Sequence, residues 1–270
     1  MKRSERLVAI TNYFLNHPRK LTQLIEFTER FSASKSSISE DLTIVDDMFK
    51  HEGIGSLKRL SGAAGGVKYI PTFNKEKSLA FIKDVCNKLE DPSRILPGGY
   101  LYMSDLLGTP SIVKQIGKAF VSAFSDVHID AVVTMETKGI PLAYAVAEFL
   151  NVPVVVIRRN MRVTEGSSVS INYVSGSSQR IQTMVLSKRN LAEDLHVVII
   201  DDFMKAGGTI TGMIDLLEEF RATVVGIGVF AEADSTKKRS FEQYTSLVKV
   251  ANVDPNEKQI EVTYGNFYEK

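Results

Sequence analysis

The sequence of 270 residues contains 33 Lys and Arg against 32 Asp and Glu, and 44% of its residues are hydrophobic. This length and composition suit one large or two ordinary globular domains. No apolar run approaches the roughly 18 residues of a membrane span, so we expect a cytoplasmic protein with no membrane contact. The single cysteine excludes an internal disulfide, and the four histidines lack the spacing of zinc ligands, which argues against a metal site built from protein side chains alone.

The charge is unevenly distributed along the chain. Residues 1–74 carry eleven basic and eight acidic side chains, a net charge of +3, whereas the remaining residues carry a net charge of −2. A basic amino-terminal segment permits nucleic-acid binding without proving it. We place a domain boundary near residue 74, which divides the chain into residues 1–74 and 75–270.

The amino-terminal segment predicts three helices. Apolar residues at helical spacing favour a helix over residues 4–16, which the following His17-Pro18 ends. A second helix is predicted over residues 21–31, with Thr22 as its cap, and a third begins at Lys35. Two short helices across a tight turn are typical of a helix-turn-helix.

Two short strands follow the third helix, over residues 53–60 and 67–71, and a glycine-rich tip joins them. Three helices followed by such a hairpin predict a winged helix-turn-helix domain, whose third helix would enter the major groove of DNA. A three-helix interaction domain that never touches DNA is the alternative, because Ser-rich helix starts are also ordinary caps. The candidate DNA contacts are Lys2, Arg3, Arg6, Lys35, Ser36, Ser37 and Ser39, with Lys58, Arg59 and Lys68 on the wing.

The middle of the chain predicts a connecting helix over residues 75–90 and another over residues 110–124. Tyr100 and Tyr102 lie between these helices, in a loop and short strand. Either tyrosine is a candidate for stacking on a ligand, although packing in the core is the commoner role of such a side chain.

From residue 131 onward the chain alternates between strands and helices. This order predicts an α/β domain with a doubly wound parallel sheet and helices on both faces. Ligands bind such sheets outside the carboxyl ends of the strands, where the turns at residues 136–141 and 203–209 should both lie. The predicted strands cover residues 131–135, 152–157, 181–186, 197–200 and 224–230, and the predicted helices cover residues 141–150 and 209–220.

The stretch from His196 to Thr209 combines a buried strand, an acidic pair, a glycine turn and a helix start. The two glycines allow a tight turn, and Thr209 is expected to cap the following helix. Free N–H groups at a helix start bind phosphate, whereas the carboxylates of Asp201 and Asp202 accept hydrogen bonds from ribose hydroxyls or bind Mg²⁺. The stretch therefore predicts a sugar phosphate site, and an ordinary turn with an exposed acidic pair is the alternative.

Four apolar residues, two acids and a Gly-Gly-Thr turn resemble the phosphoribosyl pyrophosphate (PRPP) signature of type I phosphoribosyltransferases. The resemblance implies that Asp201 and Asp202 hold the ribose hydroxyls and would take Mg²⁺ together with PRPP. It also implies that residues 206–209 bind the 5-phosphate. The chain departs from the family at Lys205-Ala206, where the enzymes usually have small residues such as Ser or Thr, and we expect Phe203 and Lys205 to face the ligand.

Two further stretches resemble parts of these enzymes. The turn at residues 136–141 resembles the pyrophosphate loop of purine phosphoribosyltransferases, which implies that Lys138 and Gly139 face the diphosphate. The long, polar and basic stretch from residue 158 through residue 180 resembles the flexible hood that closes over PRPP. An exposed hairpin with incidental arginines is the alternative for the hood. The candidate effector-binding residues are Tyr100, Tyr102, Thr137, Lys138, Gly139, Arg158, Arg159, Asp201, Asp202, Phe203, Lys205, Ala206, Gly207, Gly208 and Thr209.

A winged helix followed by a phosphoribosyltransferase-like domain resembles the purine operon repressors of Gram-positive bacteria, and here the resemblance runs from Arg6 to the end of the chain. It implies a homodimeric repressor of purine synthesis genes that binds double-stranded operator DNA, uses PRPP as an inducer and has no catalytic residues. Two alternatives stay open. One is an active purine phosphoribosyltransferase with a regulatory DNA-binding domain, and the other is a sensor of purine nucleotide polyphosphates, which the side chains of Lys138, Arg158, Arg159 and Lys205 would also suit.

Overall fold

The computed structural model describes residues 1–62, 65–97, 100–125, 127–161, 163–174, 180–234, 241 and 243–268. The chain divides into two compact units, of which the first comprises Met1–Lys77 with Glu148–Asn151 and the second comprises Ser78–Ala147 with Val152–Lys270. Within the described residues, every helix is too short or too polar to cross a bilayer.

The first unit has the predicted order of three helices and a two-stranded wing. Aromatic and aliphatic side chains at helical spacing, such as Phe14, Phe27 and Ile38, are buried together between the helices. The predicted winged helix-turn-helix is therefore confirmed, although the predicted tip residues Ala63 and Ala64 lie outside the described residues. The elements are α1 (Arg3–Asn16), α2 (Leu24–Phe31), α3 (Lys35–Glu52), β1 (Gly55–Leu60) and β2 (Gly66–Pro71).

The segment before α2 differs from the prediction. Thr22 was expected to cap a helix starting at residue 21, but α2 begins at Leu24 with Gln23 as its cap. Thr22 instead pairs with Val67 of β2 through backbone N–H···O bonds of 3.0 and 2.9 Å. The approach is so close that a Cβ on Gly66 would lie 2.5 Å from the Thr22 carbonyl oxygen. Backbone pairing with the wing has thus overridden the capping preference of threonine.

A buried carboxylate joins α1 to α3. Asp41 is fully buried, and its two oxygens accept hydrogen bonds from Arg3 Nε, at 3.0 Å, and from Arg6 Nε. The Arg6 side chain is only 11% exposed, whereas that of Arg3 is 53% exposed. Both guanidinium groups, which were candidates for DNA contact, therefore hold the helices together, because a buried charge must be paired.

The rest of the chain forms the helices and strands of an α/β unit. Glycine residues 98 and 99, at the centre of the predicted loop before Tyr100, lie outside the described residues. In chain order the elements are α4 (Lys75–Leu89), β3 (Ile95–Leu96), β4 (Tyr100–Leu101), α5 (Ser104–Leu107), α6 (Pro110–Ala123), β5 (Ala131–Met135), α7 (Gly139–Leu150), β6 (Val154–Ile157), β7 (Ser168–Val174), β8 (Ile181–Ser187), β9 (His196–Met204), α8 (Gly208–Glu218), β10 (Thr223–Ala233), β11 (Thr245–Asp254) and β12 (Gln259–Tyr264).

Six strands form the main sheet in the order β12-β11-β10-β9-β5-β6, and all neighbours are parallel except β11 and β12. The neighbouring strands β5 and β9 are buried through their apolar runs, as is typical of parallel strands covered on both faces. Their register aligns Val132 with Val198, so their carboxyl ends lie at the same edge. The predicted parallel sheet is therefore confirmed.

The strand β9 and the helix α8 have different limits from those predicted. β9 continues to Met204, so the acidic pair and Phe203 lie in the strand, where Asp201 pairs with Val229 of β10. α8 begins at Gly208, and Gly207 precedes it with a φ of +83°. Thr209 lies in the first helical turn and is not the cap, because Gly207, with its left-handed backbone, occupies the cap position.

The strand predicted over residues 181–186 exists but belongs to another sheet. It is β8, which pairs antiparallel with the unpredicted β7. This hairpin packs on α8, where a Cβ on Gly212 would lie 2.9 Å from the Tyr173 Cβ. β7 lies within the stretch 158–180 predicted to be a hood and β8 directly follows it; Arg162 and residues 175–179 of that stretch lie outside the described residues. β11 and β12, which continue the main sheet, were not predicted either.

We expect Asp41→Ala to lower the free energy of unfolding of the first unit by about 3 kcal/mol, because it leaves the buried Arg6 guanidinium without a counter-charge. Glu40→Ala is the matched control. Glu40 is 68% exposed and pairs with Arg3 at 3.4 Å, so its loss should cost about 0.5 kcal/mol or less. Hydrogen exchange of the α1 and α3 amides in the full chain measures the stability of both variants. Equal losses of stability would contradict the role of Asp41 as the counter-charge of Arg6.

Candidate functional site

A cavity of about 540 Å³ opens at the carboxyl end of β9, around the start of α8. Ten of the fifteen predicted effector-binding residues line it. Among the described residues, the lining leaves out Tyr102, Thr137, Gly139, Arg158 and Arg159. The ten lining residues are Tyr100, Lys138, Asp201, Asp202, Phe203, Lys205, Ala206, Gly207, Gly208 and Thr209.

The start of α8 provides a site for an anion. The positive φ of Gly207 turns the chain from β9 into α8, and the first internal bond of the helix runs from Thr211 N to Gly207 O at 2.9 Å. The N–H groups of residues 208–210 therefore have no partner within the helix. Unpaired N–H groups and the helix dipole favour a phosphate at this position, and the exposed Lys205 adds a positive charge at the rim.

The two acids of the pair have different environments. Asp201 is 6% exposed, and its Oδ1 accepts the backbone N–H of Asp202 at 2.9 Å, whereas Asp202 is half-buried. Burial raises the pKa of Asp201 well above its usual range, and the neighbouring charge of Asp202 raises it further. The positive charge of Arg159 acts in the opposite direction. A ligand that brings a cation or hydroxyl donors to these oxygens would therefore stabilise the ionised form.

The turn after β5 lies directly beside the acidic pair. A Cβ on Gly139 would lie 2.2 Å from Thr134 Oγ1 and 3.2 Å from Asp201 Oδ1, so only glycine fits here. Lys138 lines the cavity next to it, and the peptide bond between Glu136 and Thr137 is cis. The parallel pairing of β5 with β9 has brought together two turns that are more than sixty residues apart in sequence.

Arg158 and Arg159 adjoin the site through Glu136. Glu136 Oε1 accepts the backbone N–H of Arg159 at 3.0 Å, and Oε2 lies 3.4 Å from Arg158 Nη1. The backbone of Arg158 also bonds to Val185 of β8 in both directions, at 3.0 and 2.8 Å. Glu136, for which the sequence indicated no role, thus ties the end of β6 to the turn that carries Lys138.

One further part of the cavity lining was not predicted. It comes from the carboxyl ends of β10 and β11, which lie next to each other in the sheet. The mostly apolar residues 247–251, interrupted by Lys249, are the sequence signal for β11. The Asp254–Pro255 turn that follows them carries no glycine of the kind that indicates a phosphate site. The residues of this wall are Ala233, Asp234, Val250, Ala251, Asn252 and Val253.

The predicted DNA contacts all lie in the first unit, and those other than Arg3 and Arg6 are on α3, the wing and the residue before α1. The hydroxyl oxygens of Ser36 and Ser37 lie 3.0 and 2.9 Å from that of Ser34, the cap of α3, and Lys35 is exposed beside them. On the wing, Lys58 and Lys68 are cross-strand partners, so two positive charges stand side by side. Lys2 is exposed in front of α1.

Both units match known protein families. Residues 2–71 match the amino-terminal domain of the bacterial purine repressor, and residues 103–264 match the phosphoribosyl transferase domain. The chain is 54% identical, over 98% of its length and 93% of the relative's, to the purine biosynthesis transcriptional repressor of Bacillus subtilis. The chain belongs to the family of bacterial purine biosynthesis transcriptional regulators.

Regulators of this family do not all carry the same name. A relative in Lactococcus lactis, 43% identical over 99% of both chains, is named a purine biosynthesis transcriptional activator. The fold of the second unit is that of adenine phosphoribosyltransferase from Thermoanaerobacter pseudethanolicus, with a TM-score of 0.53 and 20% identity over 62% of this chain and 98% of that one. The match of both domains and the 54% identity to the Bacillus subtilis repressor confirm the predicted resemblance to purine operon repressors.

In this purine regulator, we expect Asp201→Asn to stabilise the ligand-free protein at neutral pH. Because the folded state raises the pKa of Asp201, ionisation of this group opposes folding above its unfolded pKa. This loss of folding free energy grows as pH rises towards the pKa of Asp201 in the folded protein. It vanishes at acid pH, where Asp201 is protonated in the folded and the unfolded protein alike. The stabilisation should therefore fade as pH falls, and thermal unfolding over a range of pH values measures it.

The half-buried Asp202 offers the matched control. Asp202→Asn removes only the neighbouring charge, which is the smaller cause of the raised pKa, so it should stabilise the protein less. A stability difference for Asp201→Asn that stays constant from acid to neutral pH would contradict the assignment.

Proposed function

We propose that this protein represses purine biosynthesis genes by binding their promoter DNA, and that PRPP bound in the cavity relieves the repression. The observation that carries the proposal is the meeting of three groups around one cavity. These are the Lys138–Gly139 turn, the acidic pair Asp201–Asp202 and the start of α8. The turn suits the diphosphate of PRPP, the acidic pair suits its ribose hydroxyls, and the start of α8 suits its 5-phosphate. A regulator of this kind acts in the cytoplasm.

The same residues suit a Mg²⁺ ion bound together with PRPP. Mg²⁺ is commonly held by one or two carboxylates and by phosphate oxygens of the ligand, and here the carboxylates would be those of Asp201 and Asp202. The absence of a Cβ at Gly139 leaves the adjoining turn close to Asp201 Oδ1. When bound, the ion would neutralise the charge of the diphosphate. It would also restore a counter-charge to Asp201, whose ionised form is unfavourable in the ligand-free protein.

We further propose that the site senses PRPP without turning it over. Phe203 and Lys205 line the cavity in the segment where the phosphoribosyltransferases that it resembles usually carry small or polar residues. The fold that the second unit shares with adenine phosphoribosyltransferase supports an active transferase as the second candidate. An assay for PRPP-dependent consumption of adenine, guanine, hypoxanthine and xanthine separates the two, because only a transferase consumes a nucleobase.

A purine nucleotide polyphosphate is a second effector class for the same cavity. Lys138 and Lys205 both line it and would attract any polyphosphate, whether or not the ligand also places a ribose at Asp201 and Asp202. Competition against bound PRPP, followed by calorimetry, tests whether such nucleotides occupy the same site.

We also propose that the protein acts as a homodimer on operator DNA. Helix-turn-helix proteins commonly bind two half-sites as dimers, with one recognition helix in each major groove. Here α3 supplies Lys35, Ser36, Ser37 and Ser39, and the wing supplies Lys58 and Lys68. Sedimentation of the full chain with and without an operator duplex tests the stoichiometry.

We expect PRPP to weaken operator binding by about 5- to 150-fold, the usual range of an allosteric coupling, and operator DNA to weaken PRPP binding by the same factor. Asp201→Ala with Asp202→Ala should bind operator normally and lose both effects, because the ribose acceptors are removed from the second unit alone. Fluorescence anisotropy of a purine promoter duplex and calorimetry with PRPP measure the two sides. PRPP that binds tightly but leaves DNA affinity unchanged would show that it is no inducer.

We expect Lys58→Ala to lower the slope of log affinity against log salt by about 0.9, because each phosphate contact of a cation releases one counterion. Lys83→Ala is the matched control, since Lys83 is exposed on α4 of the second unit and is not among the predicted DNA contacts. The measurement is a salt titration of operator affinity. An unchanged slope for Lys58→Ala, with the fold intact by circular dichroism, would remove the wing from the DNA interface.

A further inference from the structure

The first strand of the wing is held against the recognition helix by side chains of that helix. β1 pairs with β2 on one side only, and α3 satisfies groups on its other side. The backbone N–H of Leu57 donates to Asp46 Oδ1 at 2.7 Å. Two residues further along β1, the guanidinium of Arg59 reaches α3 as well. The recognition helix therefore covers part of this strand edge, where the Leu57 N–H would otherwise be unpaired.

Arg59 makes three hydrogen bonds to α3. Its Nη1 donates to Ser39 Oγ at 3.1 Å, and its Nη2 donates to the Ser39 carbonyl oxygen at 3.0 Å and to Thr43 Oγ1 at 2.8 Å. The Thr43 hydroxyl in turn donates to the Ser39 carbonyl oxygen at 3.1 Å. The acceptors Ser39, Thr43 and Asp46 follow each other at intervals of four and three residues, which places them on one face of α3.

The charge of Arg59 is not neutralised by these contacts. All three acceptors are uncharged, and no carboxylate of the described residues pairs with Arg59. Other cations of the first unit are used differently: Lys50 pairs with Asp46 at 2.7 Å, and Arg6 pairs with Asp41. Arg59 thus combines a fixed guanidinium geometry with a free positive charge, on an exposed part of the wing.

The wing lysines depend on the same strand. Lys58 lies next to Arg59 in β1, and its cross-strand partner is Lys68. Like charges directly opposite each other repel, so this pair has no attraction of its own that would fix its position. The position of both lysines relative to the recognition helix is therefore determined by how β1 is attached to α3.

We propose that Arg59 is a positioning residue, which fixes the wing against the recognition helix through Ser39 and Thr43 and so determines where Lys58 and Lys68 meet the DNA backbone. This inference rests on the proposed DNA-binding function. It assigns a role in operator binding to Thr43, which is not one of the predicted DNA contacts. It also makes the recognition helix and the wing lysines energetically dependent on each other.

A double-mutant cycle in the full chain tests the proposal, with a purine promoter duplex as the probe. Thr43→Val removes the hydroxyl that accepts from Arg59 but retains the branched shape and every predicted DNA contact. It should weaken duplex binding by about fivefold, the effect of one lost hydrogen bond. In a Lys58→Ala, Lys68→Ala background the same change should weaken binding less than about twofold, because no wing lysine is left to position.

Conservative variants extend the cycle. Thr43→Ser retains the hydroxyl and should bind the duplex like the unchanged protein. Arg59→Lys retains the charge but not the forked hydrogen bonds, so it should lose at least as much affinity as Thr43→Val. Adding Thr43→Val to Arg59→Lys should cause little further loss, because the bond to Thr43 is already gone. Circular dichroism and hydrogen exchange of the α3 amides confirm that each variant is folded.

Three outcomes would overturn the positioning role. In the first, Thr43→Val binds the duplex as tightly as the unchanged protein. In the second, Thr43→Val lowers duplex affinity by the same factor with and without the wing lysines. In the third, its loss of affinity adds fully to that of Arg59→Lys. Each of these leaves the proposed function intact, since the duplex is still bound through the recognition helix. Failure of the proposed function itself is a different result, in which the unchanged protein shows no salt-dependent binding to the promoter duplex.

Discussion

The parallel pairing of β5 with β9 is the constraint on which the ligand site depends. It places the Lys138–Gly139 turn against the acidic pair at the same edge of the sheet, and the contact is so close that Gly139 cannot carry a Cβ. β-branched residues covered on both faces hold the two strands together, so the position of the turns is determined by the core rather than by the turns themselves. Pre-organised anion sites in α/β proteins arise in this way.

The site also contains a carboxyl group, that of Asp201, whose ionisation is unfavourable in the absence of ligand. Asp201 is buried beside Asp202, and the charge of Arg159 only partly offsets the resulting rise in its pKa. Functional sites commonly retain groups that lower stability, because the ligand supplies the missing partner. A cation or hydroxyl donors at Asp201 would therefore couple ligand binding to the stability of β9 and of the turn into α8.

Charge has a different role in the first unit. Asp41 is fully buried and neutralises cations of α1, so part of the basic surplus of the amino-terminal segment serves the packing of helices. The cations of the wing lack such partners among the described residues, and Arg59 is held only by uncharged acceptors. The net charge of a domain is thus a poor measure of its DNA-binding surface, which depends on the cations that the fold leaves unpaired.

The sequence by itself determined the winged helix, the parallel strands β5, β6, β9 and β10 and ten of the residues that line the cavity, but not the strands β7, β11 and β12. The features that it determined depend on local periodicity and on turn residues such as Gly207, which act within a few positions of the chain. It did not determine the role of Glu136, the partner of Thr22, the buried pairing of Arg6 or the wall formed by β10 and β11. Each of these joins residues that are distant in the chain and carry no local motif. Only the tertiary structure decided them, because burial and strand neighbours are properties of the whole fold and not of any short segment.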